Sequence, residues 1–368
     1  MKIAFIKRNF SYHGGAEKYL ASLIDFLKQE NHEIHIFSNK WLEDTKIIFH
    51  KVKILPFSSV IKAWSFNCNL KINLNEYDCV LSFERTTSQH IYRAGEGCHR
   101  KWLEIRKQIE PFYKKISFQI NPLHRYYLRL EKKIFEKTPL IIANSEMVKK
   151  EIIENYKISS EKIIVVYNGV DLDRFSPENR KKFAHFKKEM KLSEDEKILL
   201  FLGSGFKRKG LETLIKALSF VNENVKLLVI GKGNPEKYIK IAKKSGIEGR
   251  ILFLGPRRDI EKFYAISDLF VLPTLYDPFS NATLEAMASG IPVITTKNNG
   301  VAELIEEGSE GYVLKDLLNA EELADKINIA LKRLAIMGFF ARKKAEQFPL
   351  EEQAKKIIEV IKCLKKSL

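Results

Sequence analysis

The sequence contains no run of about 18 uncharged apolar residues, so no segment reads as a membrane span. Met1-Lys2-Ile3 leads straight into a strand-like segment, without the apolar stretch of a secretory signal peptide. Cysteine is scarce: Cys68, Cys79, Cys98 and Cys363 have no CxxC spacing, which excludes a patterned zinc site and a disulfide framework. A cytoplasmic chain is expected. No metal motif such as DxD lies in a suitable loop and no GxGxxG is present, so no metal and no bound cofactor are expected. Solenoid repeats and low-complexity stretches are also missing. Acidic residues are in deficit, 46 Asp plus Glu against 63 Lys plus Arg, for a net charge of +17. Such a balance attracts polyanions, whether nucleic acid, anionic lipid or anionic saccharide, or else reflects a lysine-rich solvated surface.

What remains is the composition of a folded protein, 45% apolar and 30% charged. At 368 residues it is long for one core and suited to two. Residues 2–7 (KIAFIK) read as a strand, Gly14-Gly15 break it, and 16–29 carry helical spacing. Further strands are predicted at 33–37, 78–82, 139–143 and 163–167. The pattern then restarts with strands at 197–202, 225–230, 250–254, 268–272 and 291–295, with helices at 210–220 and 235–245 between them. Alternation of this kind predicts two α/β domains with doubly wound parallel sheets, and ligands bound beyond the carboxyl ends of the strands in the cleft between the domains. The boundary is placed at Asn168-Gly169, giving an N-terminal domain of residues 1–168 and a C-terminal domain of residues 169–347. The tail 340–368 reads as one basic amphipathic helix, whose 348–368 part packs back on the N-terminal domain rather than on a membrane.

Two segments carry chemistry. Gly203-Ser204-Gly205-Phe206-Lys207-Arg208-Lys209-Gly210 follows a strand and opens a helix, and its three adjacent cations repel one another unless an anion or solvent screens them. A diphosphate fits there, and a solvated basic turn is the alternative. In Asp277-Pro-Phe-Ser-Asn-Ala-Thr-Leu-Glu285 a loop enters a helix capped by Ser280 or Asn281, and the backbone N–H groups of Ala282 and Thr283 are expected to face the same phosphates. Asp277 and Glu285 are spaced to accept hydrogen bonds from vicinal hydroxyls. Gly14-Gly15 form a weaker feature, either a ligand loop or a plain strand-to-helix turn.

The DPFSNATLEAMASGIPVI segment resembles the E-x7-E donor signature of the retaining, GT-B fold glycosyltransferases of family 4. NGVDLDRF at 168–175, the Gly14-Gly15-Ala16-Glu17 turn and the RKG at 208–210 fall in the family's order, so the resemblance spans nearly the whole chain. Within the family the chain is most similar to the lipopolysaccharide core glucosyltransferases that add glucose to heptose. The resemblance implies transfer of a hexose, glucose from UDP-glucose as co-substrate, to a lipid-linked acceptor such as inner-core heptose, with retention and without metal. It implies donor contacts from Gly15, Gly203, Arg208, Lys209, Asp277, Phe279, Asn281, Ala282, Thr283 and Glu285. Lys209 and Asp277 would act at the reacting centre, and Glu96 and His99 are the first-domain candidates. Two departures stand out: Asp277 replaces the first glutamate, and Ser204 stands where many members have arginine.

Residues 99–137 hold eleven Lys or Arg interleaved with aromatic and aliphatic residues, among them Arg100, Lys101, Arg106, Lys107, Lys114 and Lys115. Cations beside aromatics suit an anionic membrane surface or acceptor, which would hold the protein at the inner face of the cytoplasmic membrane. A solvated face over core aromatics is the alternative, and no nucleic-acid-binding motif is present. Two rival functions share these features. A GT-B nucleotide-sugar epimerase or hydrolase would lack acceptor docking, and a membrane-associated saccharide-binding protein would need no site for a leaving group.

Overall fold

The computed structural model describes residues 1–9, 15–41, 46–112, 115, 118, 120–222 and 224–367. Two compact units make up the chain, Met1–Asn168 with Leu350–Leu368, and Gly169–Pro349.

In the first unit seven parallel strands form one sheet: β1 (Lys2–Ile6), β2 (Glu33–Ser38), β3 (Ile48–Lys51), β4 (Cys79–Ser82), β5 (Ile91–Arg93), β6 (Leu140–Ala143) and β7 (Ile163–Val165). Their spatial order is β3-β2-β1-β4-β5-β6-β7, with Ile3 opposite Ile34 on one side and Cys79 on the other. Helices α1 (Gly15–Gln29), α2 (Ser59–Asn69), α3 (His99–Ile109), α4 (Pro122–Lys137) and α5 (Glu146–Tyr156) connect them. The central strands are unbroken apolar runs because helices cover both sheet faces.

The second unit repeats the scheme with β8 (Lys197–Leu202), β9 (Val225–Ile230), β10 (Ile251–Gly255), β11 (Leu269–Leu272), β12 (Val293–Thr296) and β13 (Gly311–Leu314), ordered β10-β9-β8-β11-β12-β13 and all parallel. Its principal helices are α6 (Leu211–Leu218), α7 (Glu236–Lys244), α8 (Ile260–Ile266), α9 (Asn281–Ala288), α10 (Ala320–Leu331) and α11 (Leu334–Ala345). A final helix, α12 (Leu350–Ser367), lies in the first unit, where Ile357, Ile358 and Ile361 join Leu20, Leu23, Leu27 and Ile34 in one core cluster.

Both units are therefore Rossmann-like α/β sheets. Three strands escape the sequence reading: β3 (IFHK) and β5 (IYR) carry charged residues in place of a continuous apolar run, and β13 (GYVL) opens on a glycine. The tail is also corrected. It is not one helix over 340–368, because α11 ends at Ala345 and α12 starts at Leu350, with Pro349 between them. A proline drives the preceding residue out of the helical region and breaks the run. Among the described residues no helix is long and apolar enough to cross a membrane.

Candidate active site

In the second sheet the chain order reverses between β8 and β11, and the loops leaving these two strands lie side by side at their carboxyl ends. The loop after β8 is Gly203–Gly210. Its shape depends on close backbone approaches: Gly210 has φ +77°, and a Cβ there would stand 1.8 Å from the Pro273 carbonyl oxygen. That packing brings the loop after β11 onto it, with the Arg208 carbonyl accepting from Leu275 N–H (2.8 Å) and from the Thr274 hydroxyl (3.0 Å).

The three cations of the loop separate. Lys207 is exposed, Arg208 is half-buried and donates through Nη1 to the Tyr276 carbonyl at 2.9 Å, and Lys209 is buried with its ammonium on Asp277 Oδ2. Gly203 leaves room for this, since a Cβ there would press on the Lys209 stem at 3.2 Å. Burial draws the Lys209 ammonium below the usual lysine range, Asp277 draws it back up, and Arg208 lowers it further. The mutual repulsion inferred from sequence is thus met from within the protein by Asp277, a counter-charge 68 residues away in sequence. A buried ion pair of this kind is a preformed, dry charge site.

After Asp277 and the buried Phe279 the chain enters α9, with Asn281 as its first residue. Ser280 caps the helix, and its Oγ accepts from Thr283 N–H at 3.3 Å. The expectation that Thr283 N–H faces a ligand is therefore corrected: the cap consumes it, and the Thr283 side chain is fully buried. Asn299 holds this entry in place. Its Oδ1 accepts from Ser280 N–H (3.1 Å) and Val301 N–H (3.3 Å), and its Nδ2 donates to Thr295 Oγ1 (2.9 Å) and Thr283 Oγ1 (3.4 Å). One turn into α9, Glu285 Oε2 accepts from Tyr264 Oη at 3.0 Å, and the same hydroxyl lies 2.9 Å from the Ala282 carbonyl. Burial, then Glu285, push the Tyr264 phenol well above its usual range, so it stays a donor. Neither Asn299 nor Tyr264 figured in the sequence reading. The Asn298-Asn299-Gly300 turn directly after β12 was a usable signal for the first, and nothing local marked the second.

In the first unit the corresponding reversal lies between β1 and β4. A small pocket, partly open to solvent, sits there, lined by Arg8, Asn67, Glu84, Arg85, Glu96 and Tyr127 over Ala63 and Phe66. Arg85 is its pivot. It pairs with Glu96, lies 3.2 Å from the fully buried Glu131, and sits over the Tyr127 ring. Arg85, followed by Lys7 and Arg8, holds the Glu96 carboxyl below the usual carboxylate range. His99 opens α3 beside this cluster; its N–H donates to Glu131 Oε1 (2.8 Å) and its Nε2 lies 3.1 Å from His124 Nδ1. Burial, then Arg85 and His124, push it down to about 3, so it is neutral at pH 7. Gly15 is the first residue of α1, while Gly14 lies outside the described residues.

The basic segment folds into α3 and α4. Arg100 lies over Tyr156, Lys101 pairs with Glu104 at 3.8 Å, and Arg106 covers the Phe118 ring at 4.0 Å while facing Glu110 at 3.6 Å. Lys107 is exposed and Lys115 half-buried; Lys114 lies outside the described residues. Arg106 thus serves the local fold, a role that its charge alone did not disclose.

Comparison with known proteins assigns a relationship to both halves. The family described as Glycosyl transferases group 1 matches residues 182–362, and Glycosyltransferase Family 4 matches residues 13–174. The lipopolysaccharide glucosyltransferase WaaG of Escherichia coli (strain K12) is 23% identical over 349 residues, covering 90% of each chain. The crystal structure of WaaG, described as a glycosyltransferase involved in lipopolysaccharide biosynthesis, superposes with TM-score 0.84 at 22% identity over 98% of this chain and 99% of that one. Anabaena Alr3699/HepE, solved in complex with UDP and glucose, superposes with TM-score 0.74 at 21% identity over 99% and 100% of the two chains.

Proposed function

Because the chain belongs to the glycosyltransferases of group 1 and family 4 and so transfers a sugar, we propose that its donor is UDP-glucose and its acceptor a lipid-linked saccharide such as lipopolysaccharide inner-core heptose. The observation that carries this reading is the buried Lys209–Asp277 pair, with Arg208 beside it, at the β8/β11 reversal. Lys209 and Arg208 receive the diphosphate, aided by the positive end of α9 and by the backbone at Gly203. Glu285, preset by Tyr264, accepts from the ribose hydroxyls. Asp277 holds the hexose together with Phe279, Asn281 and the Ala282 backbone.

The acceptor hydroxyl attacks the anomeric carbon on the face that the diphosphate leaves. The bond from that carbon to the phosphate oxygen breaks, a bond to the acceptor oxygen forms with the anomeric configuration retained, and the acceptor proton passes to the departing phosphate. Lys209 and Arg208 meet the charge that develops on the leaving group, in place of a metal ion. The pocket around Glu96, Arg8 and Asn67 suits an acceptor sugar at its open mouth, since it offers two carboxylates, one amide and two guanidinium groups in balanced charge beside the Tyr127 ring. Arg100, Lys101, Lys107, Lys114 and Lys115 draw the protein to anionic lipid on the cytoplasmic face of the membrane. Support for the choice of donor and acceptor comes from the UDP and glucose bound in HepE and from the name of the WaaG relative.

Radiolabelled UDP-glucose, UDP-galactose, GDP-mannose and ADP-glucose, each supplied with and without a lipid–saccharide extract and with EDTA, test the reading. Label should move from UDP-glucose into the lipid fraction only when extract is present, at a rate indifferent to EDTA. Transfer from another donor alone, release of free glucose regardless of extract, or abolition by EDTA would each overturn the corresponding part.

A further inference from the structure

We propose that the outer face of α11 docks the second unit on the interfacial layer of an anionic lipid bilayer. The inner face of α11, made of Met337, Gly338, Ala341 and Ala345, is buried. A Cβ on Gly338 would stand 2.4 Å from the Gly290 carbonyl, and Arg342 donates to the carbonyls of Leu172 (3.3 Å), Phe175 (2.9 Å) and Ala288 (2.8 Å). The helix therefore has one fixed orientation, and its outward stripe follows from the helical period.

That stripe is Ile336, Phe339, Phe340 and Lys343, at i, i+3, i+4 and i+7. Ile336 is 52% exposed, Phe339 58% and Phe340 41%, and Ile329 on α10 adds another exposed apolar side chain at 44%. A helix that is apolar on both faces ordinarily lies buried on both. Residues 326–345 carry six cations (Lys326, Lys332, Arg333, Arg342, Lys343 and Lys344) and no Asp or Glu. Lys332, Arg333 and Lys343 are exposed, and the acid next in sequence, Glu346, is held by Arg342 and Lys343 at 3.0 and 3.2 Å. Lys326 and Lys344 are met by Glu307 (2.5 Å) and Glu310 (3.7 Å). The exposed aromatic and aliphatic side chains, with Lys343 in the stripe and exposed Lys332 and Arg333 flanking it in sequence, match the headgroup layer of an anionic bilayer. A second copy of the chain would set these cations against their own images.

The test uses the full chain and vesicles of phosphatidylethanolamine with 30% phosphatidylglycerol, or of phosphatidylcholine alone. Phe339→Ser with Phe340→Ser should weaken binding to the anionic vesicles at least ten-fold while transfer to a soluble acceptor continues. A Phe340→Trp variant gives a local reading if the double variant folds poorly: its added emission should shift to the blue and be quenched by brominated lipid in anionic vesicles only. Unchanged vesicle binding by the folded double variant, or no blue shift from Trp at 340, would overturn the proposal. So would sedimentation showing a wild-type dimer that the double substitution dissociates.

Discussion

The Lys209 ammonium sits in a buried site where only Asp277 opposes the cost of its charge. A cation so held is already desolvated and aimed, which is the condition under which it stabilises a leaving group more than a ground state. Lys209→Ala should accordingly lower kcat by at least about 100-fold, roughly 3 kcal/mol, with the donor KM changed only several-fold, as steady-state kinetics will report. Asp277→Asn removes the one influence raising the Lys209 pKa and leaves burial and Arg208 to lower it. The alkaline limb of the pH–rate profile should then move to lower pH than in the wild type. His99 makes a separate prediction about stability. Its folded pKa is depressed to about 3, while the unfolded chain takes up this proton near the ordinary value of about 6.5. The unfolded state therefore binds more protons between these limits, and stability falls as pH drops from about 6.5 toward 3. Denaturation followed across that range should show His99→Asn flattening the decline by close to one proton's worth of slope, about 1.4 kcal/mol per pH unit.

At the scale of elements, the site is a matter of which loops leave adjacent strands. β8 and β11 are neighbours although 66 residues separate Leu202 from Leu269, counting the residues between them. The adjacency comes from the reversal of strand order. Gly210 is the joint of this arrangement, combining a positive φ with a carbonyl where a side chain would start. Gly210→Ala should cost the second unit at least about 2 kcal/mol and lower its melting temperature by several degrees in calorimetry, through strain and displacement of Pro273. The entry to α9 shows the same dependence on a distant element. The sequence narrowed the cap to Ser280 or Asn281 and the structure takes Ser280, but Asn299, which holds Ser280 from the turn after β12, belongs to another element and left only a turn signal in the sequence.

At the scale of the whole chain, α12 returns to the first unit and closes its core. Ala354, Ile357, Ile358, Val360 and Ile361 are buried there, Gln353 donates to Asn168, and Lys365 pairs with Asp78 at 2.9 Å. Four buried branched side chains at about 1.5–3 kcal/mol each rival the entire stability of a domain. A chain ending at Pro349 should therefore lose its first unit to limited proteolysis while residues 169–349 resist, and resistance of both units would refute this account of the core. From sequence alone, the alternation of apolar runs and helical spacing determined two parallel α/β sheets, because period and run length are local properties of the chain. The glycine-and-cation loop and the DPFSNATLE segment were legible for the same reason, each being a short stretch of unusual residues beside a strand end. Only the tertiary structure decided that Lys209 meets Asp277, that Thr283 N–H is spent on a cap, that Arg106 turns onto Phe118, and that α11 keeps two phenylalanines in the open. Each depends on a partner brought near by strand order or helix packing, and such partners leave no mark in the spacing of the residues themselves.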